Sequence, residues 1–344
     1  MEKVSSPKFS KHIYTCSDGL RFATPEIVAR YRAGRLQTEV LADISCGIGG
    51  QTIFFARECQ KVYGVDIAGD KLQCAQKNAN LYDLDNIIFI KGDALSPEIV
   101  ETVTDADIIF SDPARPAAET VRQTDSLRPG IPMVLDVYKD ITDKFAFEAP
   151  PQMPPERIDF DCEREYVSVD GKLNRLTIYF GPLKQCERSA VVLEDTAFHR
   201  LRSKDRSQLL EIAEIAEPKT YAFEPDPAVV KAGLMRELVL ELKQPLEMVP
   251  IDSKRKLLTS DIFIESPFFK NIFQLIGKVP YDCQAINSFL QGTDIGSAFI
   301  RFNISPENYW DIRNKIERGL VGGKTAHLFK ISGSIYLFEN LRSS

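Results

Sequence analysis

Apolar residues follow two rhythms along this chain. Short apolar runs at 40–44, 62–66, 86–91 and 106–110 predict buried strands. Between them, helical spacing appears at 51–57, with Ile53, Phe54 and Ala56 on one side, and at 70–82, with Leu72, Ala75, Ala79 and Tyr82 forming a stripe. Strands alternating with helices in this order predict a parallel sheet. The pattern turns irregular from 136 to about 155, around a short strand near Phe145-Ala146-Phe147. Runs at 164–169 and 173–180 then flank Asp170-Gly171, a strong hairpin signal, and 189–193 reads as a strand completing an antiparallel edge. A leader over 1–38 is expected to be helical, with Thr24 as cap, Pro25 at the first helical position, and Ile27, Val28 and Tyr31 on one side. A helix over 207–216 marks a joint, and a second helix start follows at Asp226 and Pro227. The expected organisation is thus leader 1–38, an α/β domain over 39–216, and a smaller α+β domain over 217–344.

The strand ends carry the chemistry. The first runs through Asp43-Ile44-Ser45-Cys46-Gly47-Ile48-Gly49-Gly50 into a helix, so the backbone can bend freely where a ligand could lie against it. The second ends on Asp66-Ile67, an acid able to accept ribose hydroxyls; the third ends on Gly92-Asp93-Ala94, an acid able to accept from an adenine amino group. The fourth enters Ser111-Asp112-Pro113-Ala114-Arg115. In a parallel sheet these ends share one edge, where ligands bind. Counting Gly-x-Gly-x-x-Gly from Gly47 puts Thr52 at the third glycine, and Gly323-Lys324-Thr325 lacks the upstream glycine of a Walker loop, so neither phosphate-binding fingerprint is present. What remains resembles the class I S-adenosylmethionine-dependent methyltransferases. The resemblance implies cofactor contacts at Asp43, Ser45, Cys46, Gly47, Gly49, Gly50, Asp66, Ile67, Asp93, Ala94 and Asp112, and catalysis at Asp112, Pro113 and Arg115.

Composition narrows the partners. The chain has 344 residues, 44% hydrophobic and 27% charged, with a formal charge of −6. That balance excludes a protein that coats nucleic acid nonspecifically, while leaving room for a local basic face. Basic clusters lie at Arg30, Arg32 and Arg35, at Arg200, Arg202, Lys204 and Arg206, and at Lys254, Arg255 and Lys256. Seven scattered cysteines without a Cys-x-x-Cys pair suggest neither disulfides nor a metal site. No apolar run approaches a membrane span, and the polar start lacks a signal-peptide core. A cytoplasmic monomer with no metal and no membrane contact is expected.

Ala23-Thr24-Pro25-Glu26, the glycine turn, Asp112-Pro113-Ala114-Arg115 and Glu224-Pro225-Asp226-Pro227 together resemble one group: class I methyltransferases with a THUMP-like C-terminal domain. The resemblance implies a Rossmann-like sheet, parallel with an antiparallel edge, and a THUMP-like α+β domain that binds RNA, with tRNA the expected substrate. Amino-nitrogen methyltransferases often carry Asp-Pro-Pro followed by an aromatic residue; here Ala114 and Arg115 stand in the last two places. Arg115 could contact guanine O6 and N7 while Asp112 accepts N1–H and N2–H, which favours guanine and leaves N7, N2 and N1 open. Carbon methylation of pyrimidines needs a cysteine nucleophile, and this loop has none. Thr24, Arg115, Arg200, Arg202, Lys254 and Arg255 are the candidate substrate contacts. Two alternatives stand beside an RNA enzyme: a small-molecule or protein methyltransferase, and a non-catalytic RNA-binding scaffold.

Overall fold

The first half of the chain lays its apolar runs side by side. In the computed structural model, which describes residues 1–16, 18–114, 124, 127–195, 197–252 and 255–342, they build one of two compact units, Met1–Ser203 and Lys204–Ser344. The first unit begins with β1 (Glu2–Val4), β2 (Ile13–Thr15), α1 (Gly19–Phe22) and α2 (Glu26–Arg35). It continues with β3 (Val40–Asp43), α3 (Thr52–Glu58), β4 (Lys61–Asp66), α4 (Gly69–Leu81), β5 (Ile87–Lys91), α5 (Pro97–Thr102), β6 (Ile108–Ser111), α6 (Ile131–Tyr138) and β7 (Phe145–Ala149). Strands β8 (Glu163–Val169), β9 (Lys172–Tyr179), β10 (Arg188–Glu194) and β11 (Ala197–Arg202) complete it.

These strands form a sheet in the order β11-β10-β8-β9-β7-β6-β3-β4-β5. From β5 to β7 all pairs are parallel, and β9 runs antiparallel to both β7 and β8. Helices cover the central strands, so Leu41, Ala42, Ile108, Ile109 and Phe110 are buried, as two-sided burial of a parallel sheet requires. Phe54 and Phe55 of α3 hold that helix down, packing edge-on against Tyr82 and Phe110. Each such ring contributes roughly 1.5–3 kcal/mol through burial.

Several expectations are corrected here. The leader is not purely helical: β1 and β2 pair antiparallel before two helices. Helix α2 starts at Glu26, so Pro25 takes the cap position and Thr24 is buried ahead of it. The strand at 189–193 does not close an antiparallel edge; β10 runs parallel to β8, and β11 pairs beyond it. Helix α6 lies within the region flanking the irregular stretch, where no helix is expected.

The second unit contains β12 (Tyr221–Pro225), α7 (Pro227–Ala232), α8 (Met235–Leu242), β13 (Glu247–Pro250), β14 (Lys256–Ser260) and β15 (Phe269–Pro280). It ends with α9 (Cys283–Gln291), β16 (Ile295–Ile300), α10 (Pro306–Glu317), β17 (Lys324–Ile331) and β18 (Ser334–Asn340). Its sheet order is β13-β14-β12-β15-β18-β17-β16. Asp226 caps α7 as expected, its carboxylate accepting from the Ala228 N–H at 2.8 Å, with Pro227 at the first helical position. The predicted helix over 207–216 is absent beyond a short 3-10 turn at Arg206–Gln208: backbone bonds tie Ala213 and Ile215 to Met248, so 213–215 run beside β13. Of the apolar residues over 207–216, Ile215 packs on the core while Leu210 is exposed. Among the described residues no helix is long and apolar enough to cross a membrane, and no group of three His, Cys, Asp or Glu is arranged to hold a metal.

Candidate active site

The turn after β3 is held by its own acids. Asp43 is buried, and its carboxylate accepts from the Thr52 hydroxyl at 2.6 Å and the Ser45 N–H at 3.3 Å. Burial pushes its carboxyl up to about 7, against the lowering effect of those two hydrogen bonds. Asp43 therefore braces the turn from within. Asp66, at the end of β4, is half-buried and accepts the Gly47 N–H at 2.8 Å through one oxygen and the Ala68 N–H at 2.9 Å through the other. Each oxygen keeps a lone pair for a further donor. Cys46 is a buried packing residue whose N–H bonds the Val65 carbonyl.

Gly47 adopts φ +56°, and a Cβ built there meets nothing within 4 Å, so the backbone faces open space. Gly49 and Gly50 serve packing instead. A Cβ on Gly49 would lie 3.2 Å from Ala75, and one on Gly50 would lie 3.2 Å from Ala23 and 3.4 Å from Phe9. The leader is thus seated directly on the turn. Beside the open cradle, Ile67 is 69% exposed, and Asp93 is exposed with one oxygen accepting the Leu95 N–H at 3.0 Å. Ala94 is buried, its carbonyl accepting from the Tyr138 hydroxyl at 2.5 Å. An open backbone cradle, an uncovered apolar side chain and several carboxylates along one edge fit a cationic, adenosine-bearing molecule such as S-adenosylmethionine.

Asp112 follows β6 on the same edge. Its N–H donates to the Ser45 hydroxyl at 2.6 Å, and Ser45 and Ser111 hydroxyls lie 3.2 Å apart, which couples this strand end to the glycine turn. Its half-buried carboxyl is pushed up to about 8 by burial and by the nearby Glu148 carboxylate, with Arg175 and Arg32 opposing. Pro113 is buried, and Ala114 pairs by two backbone bonds with Arg128. Arg115 and Lys254 lie outside the described residues.

Sequence reading missed the ionic group that sets this environment. Glu148 of β7 pairs with Arg32 at 2.9 Å and with Arg175 at 2.5 Å; Arg32 also donates to Gln51 at 2.9 Å and Thr177 at 3.1 Å. A glutamate inside the apolar run Phe145-Ala146-Phe147-Glu148-Ala149 was the available signal, because such a buried charge needs a partner. Arg200 turns inward, bonding Glu163 at 2.6 Å and Glu165 at 3.2 Å together with Arg35. Arg202 is exposed, Arg255 is exposed and paired with Asp252 at 2.7 Å, and Thr24 is buried.

A parallel run β5-β4-β3-β6-β7 continued by antiparallel β9, with a glycine turn after β3 and acids at three further strand ends, is consistent with a Rossmann-like methyltransferase fold. Residues 38–125, which contain that turn and the Asp112 loop, match the family model described as RNA cap guanine-N2 methyltransferase. An uncharacterised RNA methyltransferase of Clostridium tetani is 36% identical over 83 residues, 24% of this chain; the chain spans only 18% of that relative. An uncharacterised S-adenosylmethionine-dependent methyltransferase of Mycobacterium tuberculosis is 24% identical over 299 residues, 85% of this chain and 77% of its own. A solved structure of a candidate methyltransferase from Porphyromonas gingivalis W83 shares the fold, with TM-score 0.76 and 17% identity over 94% of this chain and 82% of the other.

Proposed function

We propose that the chain methylates the exocyclic N2 nitrogen of guanine in RNA, with tRNA as the RNA. The observation that carries this reading is the placement of Asp112 on the rim where the cofactor cradle opens, tied to it through Ser45, with burial and the Glu148 carboxylate raising its carboxyl. N2 and N1 must each lose a proton on methylation and N7 need not, so a carboxylate of raised basicity has work only in the first two cases. The family model's guanine-N2 description favours N2 of these two.

Bound S-adenosylmethionine supplies an electrophilic methyl carbon on a positively charged sulfur. Asp66 and Asp93 hold the ribose and adenine, Gly47 gives the chain the close approach it needs, and the carboxylates along the rim favour the positive charge. Ionised Asp112 accepts the N–H groups of the guanine edge, orients the N2 lone pair, and takes the departing proton. Arg115 positions the base from the same loop. Residues 1–38 cover the cradle, 39–203 carry the transfer, and the second unit, 204–344, acts as a THUMP-like RNA-binding domain. Incubation with unmodified tRNA and labelled S-adenosylmethionine, followed by nucleoside mass spectrometry, should yield N2-methylguanosine. A product at N7 or N1, or methylation of small molecules or protein alone, overturns the reading.

A further inference from the structure

In the second unit, α9 and α10 cover only one face of the sheet. Ile286, Leu290 and Ile316 pack there with Ala298, Ile300, Ala326, Leu328 and Leu337. Strand alternation sends the intervening residues to the other face. In register across that face lie Phe299 of edge strand β16, His327 of β17 and Phe338 of β18. Phe338 belongs to the buried core on this side, whereas Phe299 is 50% exposed.

The exposed ring is built into a platform. Phe299 and His327 stack at 20° with centroids 5.6 Å apart, and the Arg301 guanidinium lies 4.7 Å from the Phe299 centroid. Arg301 Nε donates to His327 Nδ1 at 3.2 Å; burial and the Arg301 charge push that imidazole down to about 4, so it remains a neutral ring near pH 7. Hydrogen-bonding groups adjoin the rings. Arg301 reaches Glu224 at 3.4 Å, Asn271 donates to Glu224 at 2.5 Å, Asn340 donates to Asn271 at 3.0 Å, and the Ser297 and Thr325 hydroxyls pair at 2.7 Å. Arg255, exposed and paired with Asp252 at 2.7 Å, adds a second guanidinium whose charge acts on Arg301.

We propose that this face binds an unpaired RNA nucleotide, its base stacked on Phe299 and its backbone phosphate drawn to Arg301 and Arg255. An apolar partner would bury the Arg301 guanidinium charge beside Phe299 away from water, at a cost in desolvation. A nucleotide satisfies all three features at once: a π face for the ring, edge atoms for the amides and hydroxyls, and an anion for the arginines. A base within a duplex is already stacked, so the site selects single strands. The inference rests on the reading of RNA as substrate and adds a contact outside the methyl-transfer site.

Fluorescence anisotropy of the full chain with a short labelled single-stranded oligoribonucleotide tests it. Phe299→Ala should weaken binding about tenfold, Phe299→Tyr should restore it, and the matching duplex should show no difference between the variants. Thermal unfolding and calorimetric affinity for S-adenosylhomocysteine should stay at wild-type values in both. Equal RNA affinity in Phe299→Ala, failure of Phe299→Tyr to restore binding, or an acidic peptide held with the same Phe299 dependence overturns the platform. Absence of single-strand binding by the wild type also overturns it, and methyl transfer to tRNA in that same preparation shows that only the platform, and not the RNA reading, has failed.

Discussion

Replacing Asp112 by Asn keeps the side chain's shape and removes its charge, and the raised carboxyl makes that change visible in two opposite ways. An unfolded Asp titrates near 3.9, whereas here the group titrates at about 8. The folded state therefore binds the proton where the unfolded chain has released it. Stability falls as pH rises from about 4 through about 8. At pH 7 the full shift would cost about 4 kcal/mol relative to a neutral side chain of the same shape. Because Asp112 is half-buried, water screens part of this, and Asp112→Asn is expected to stabilise the protein by about 2 kcal/mol. For a unit of this size that raises Tm by about 4–8 °C. The gain should shrink as both proteins are moved to pH 4. Turnover should fall about 10²–10⁴-fold, with affinity for S-adenosylhomocysteine unchanged. Thermal unfolding at pH 4, 5.5, 7 and roughly 8.5, paired with a labelled-methyl transfer assay, measures both. A variant no more stable at pH 7 than at pH 4 relative to wild type would refute the buried-carboxyl argument, and retained turnover would remove Asp112 from the chemistry.

Three further expectations follow from neighbouring residues. Arg175→Met removes a charge that favours ionised Asp112, so the rise of kcat with pH should move to higher pH by about 0.5–1 unit; a profile that stays put would separate Arg175 from the base. Gly47→Val imposes a side chain at φ +56° in open space, costing about 1–2 kcal/mol of stability while weakening S-adenosylhomocysteine binding about tenfold or more, and unchanged calorimetric affinity would place the ligand elsewhere. Arg35→Met leaves the buried pair Glu163 and Glu165 short of a cation, which should cost about 3–5 kcal/mol. Burial raises the Glu163 carboxyl, but Arg35, Ser189, Gln185 and Arg200 together hold it down at about 2. Its contribution is thus present above about pH 4.5 and lost as pH falls toward 2, so denaturant midpoints of Arg35→Met should show a flatter acid limb.

The sequence by itself determined the elements that local rules control. Apolar runs bounded by Gly, Asp and Pro set β3 through β6 and their ends, Asp170-Gly171 set the hairpin of β8 and β9, and Asp226-Pro227 set the start of α7, because each signal is complete within a few residues. The alternation of strand and helix also brought the acids at 66, 93 and 112 to one edge. Only the tertiary structure decided which charges face a ligand and which face one another. Asp43 turned inward to Thr52, Arg200 found Glu163 and Glu165 on β8, and Arg32, Gln51, Glu148, Arg175 and Thr177 met beside Asp112 from four separate stretches of chain. The apolar residues over 207–216 looked helical, yet the backbone there paired with Met248 beside β13 instead. A buried charge must find its partner wherever the sheet happens to place one, and strand order is a property of the assembled fold that residue spacing does not record.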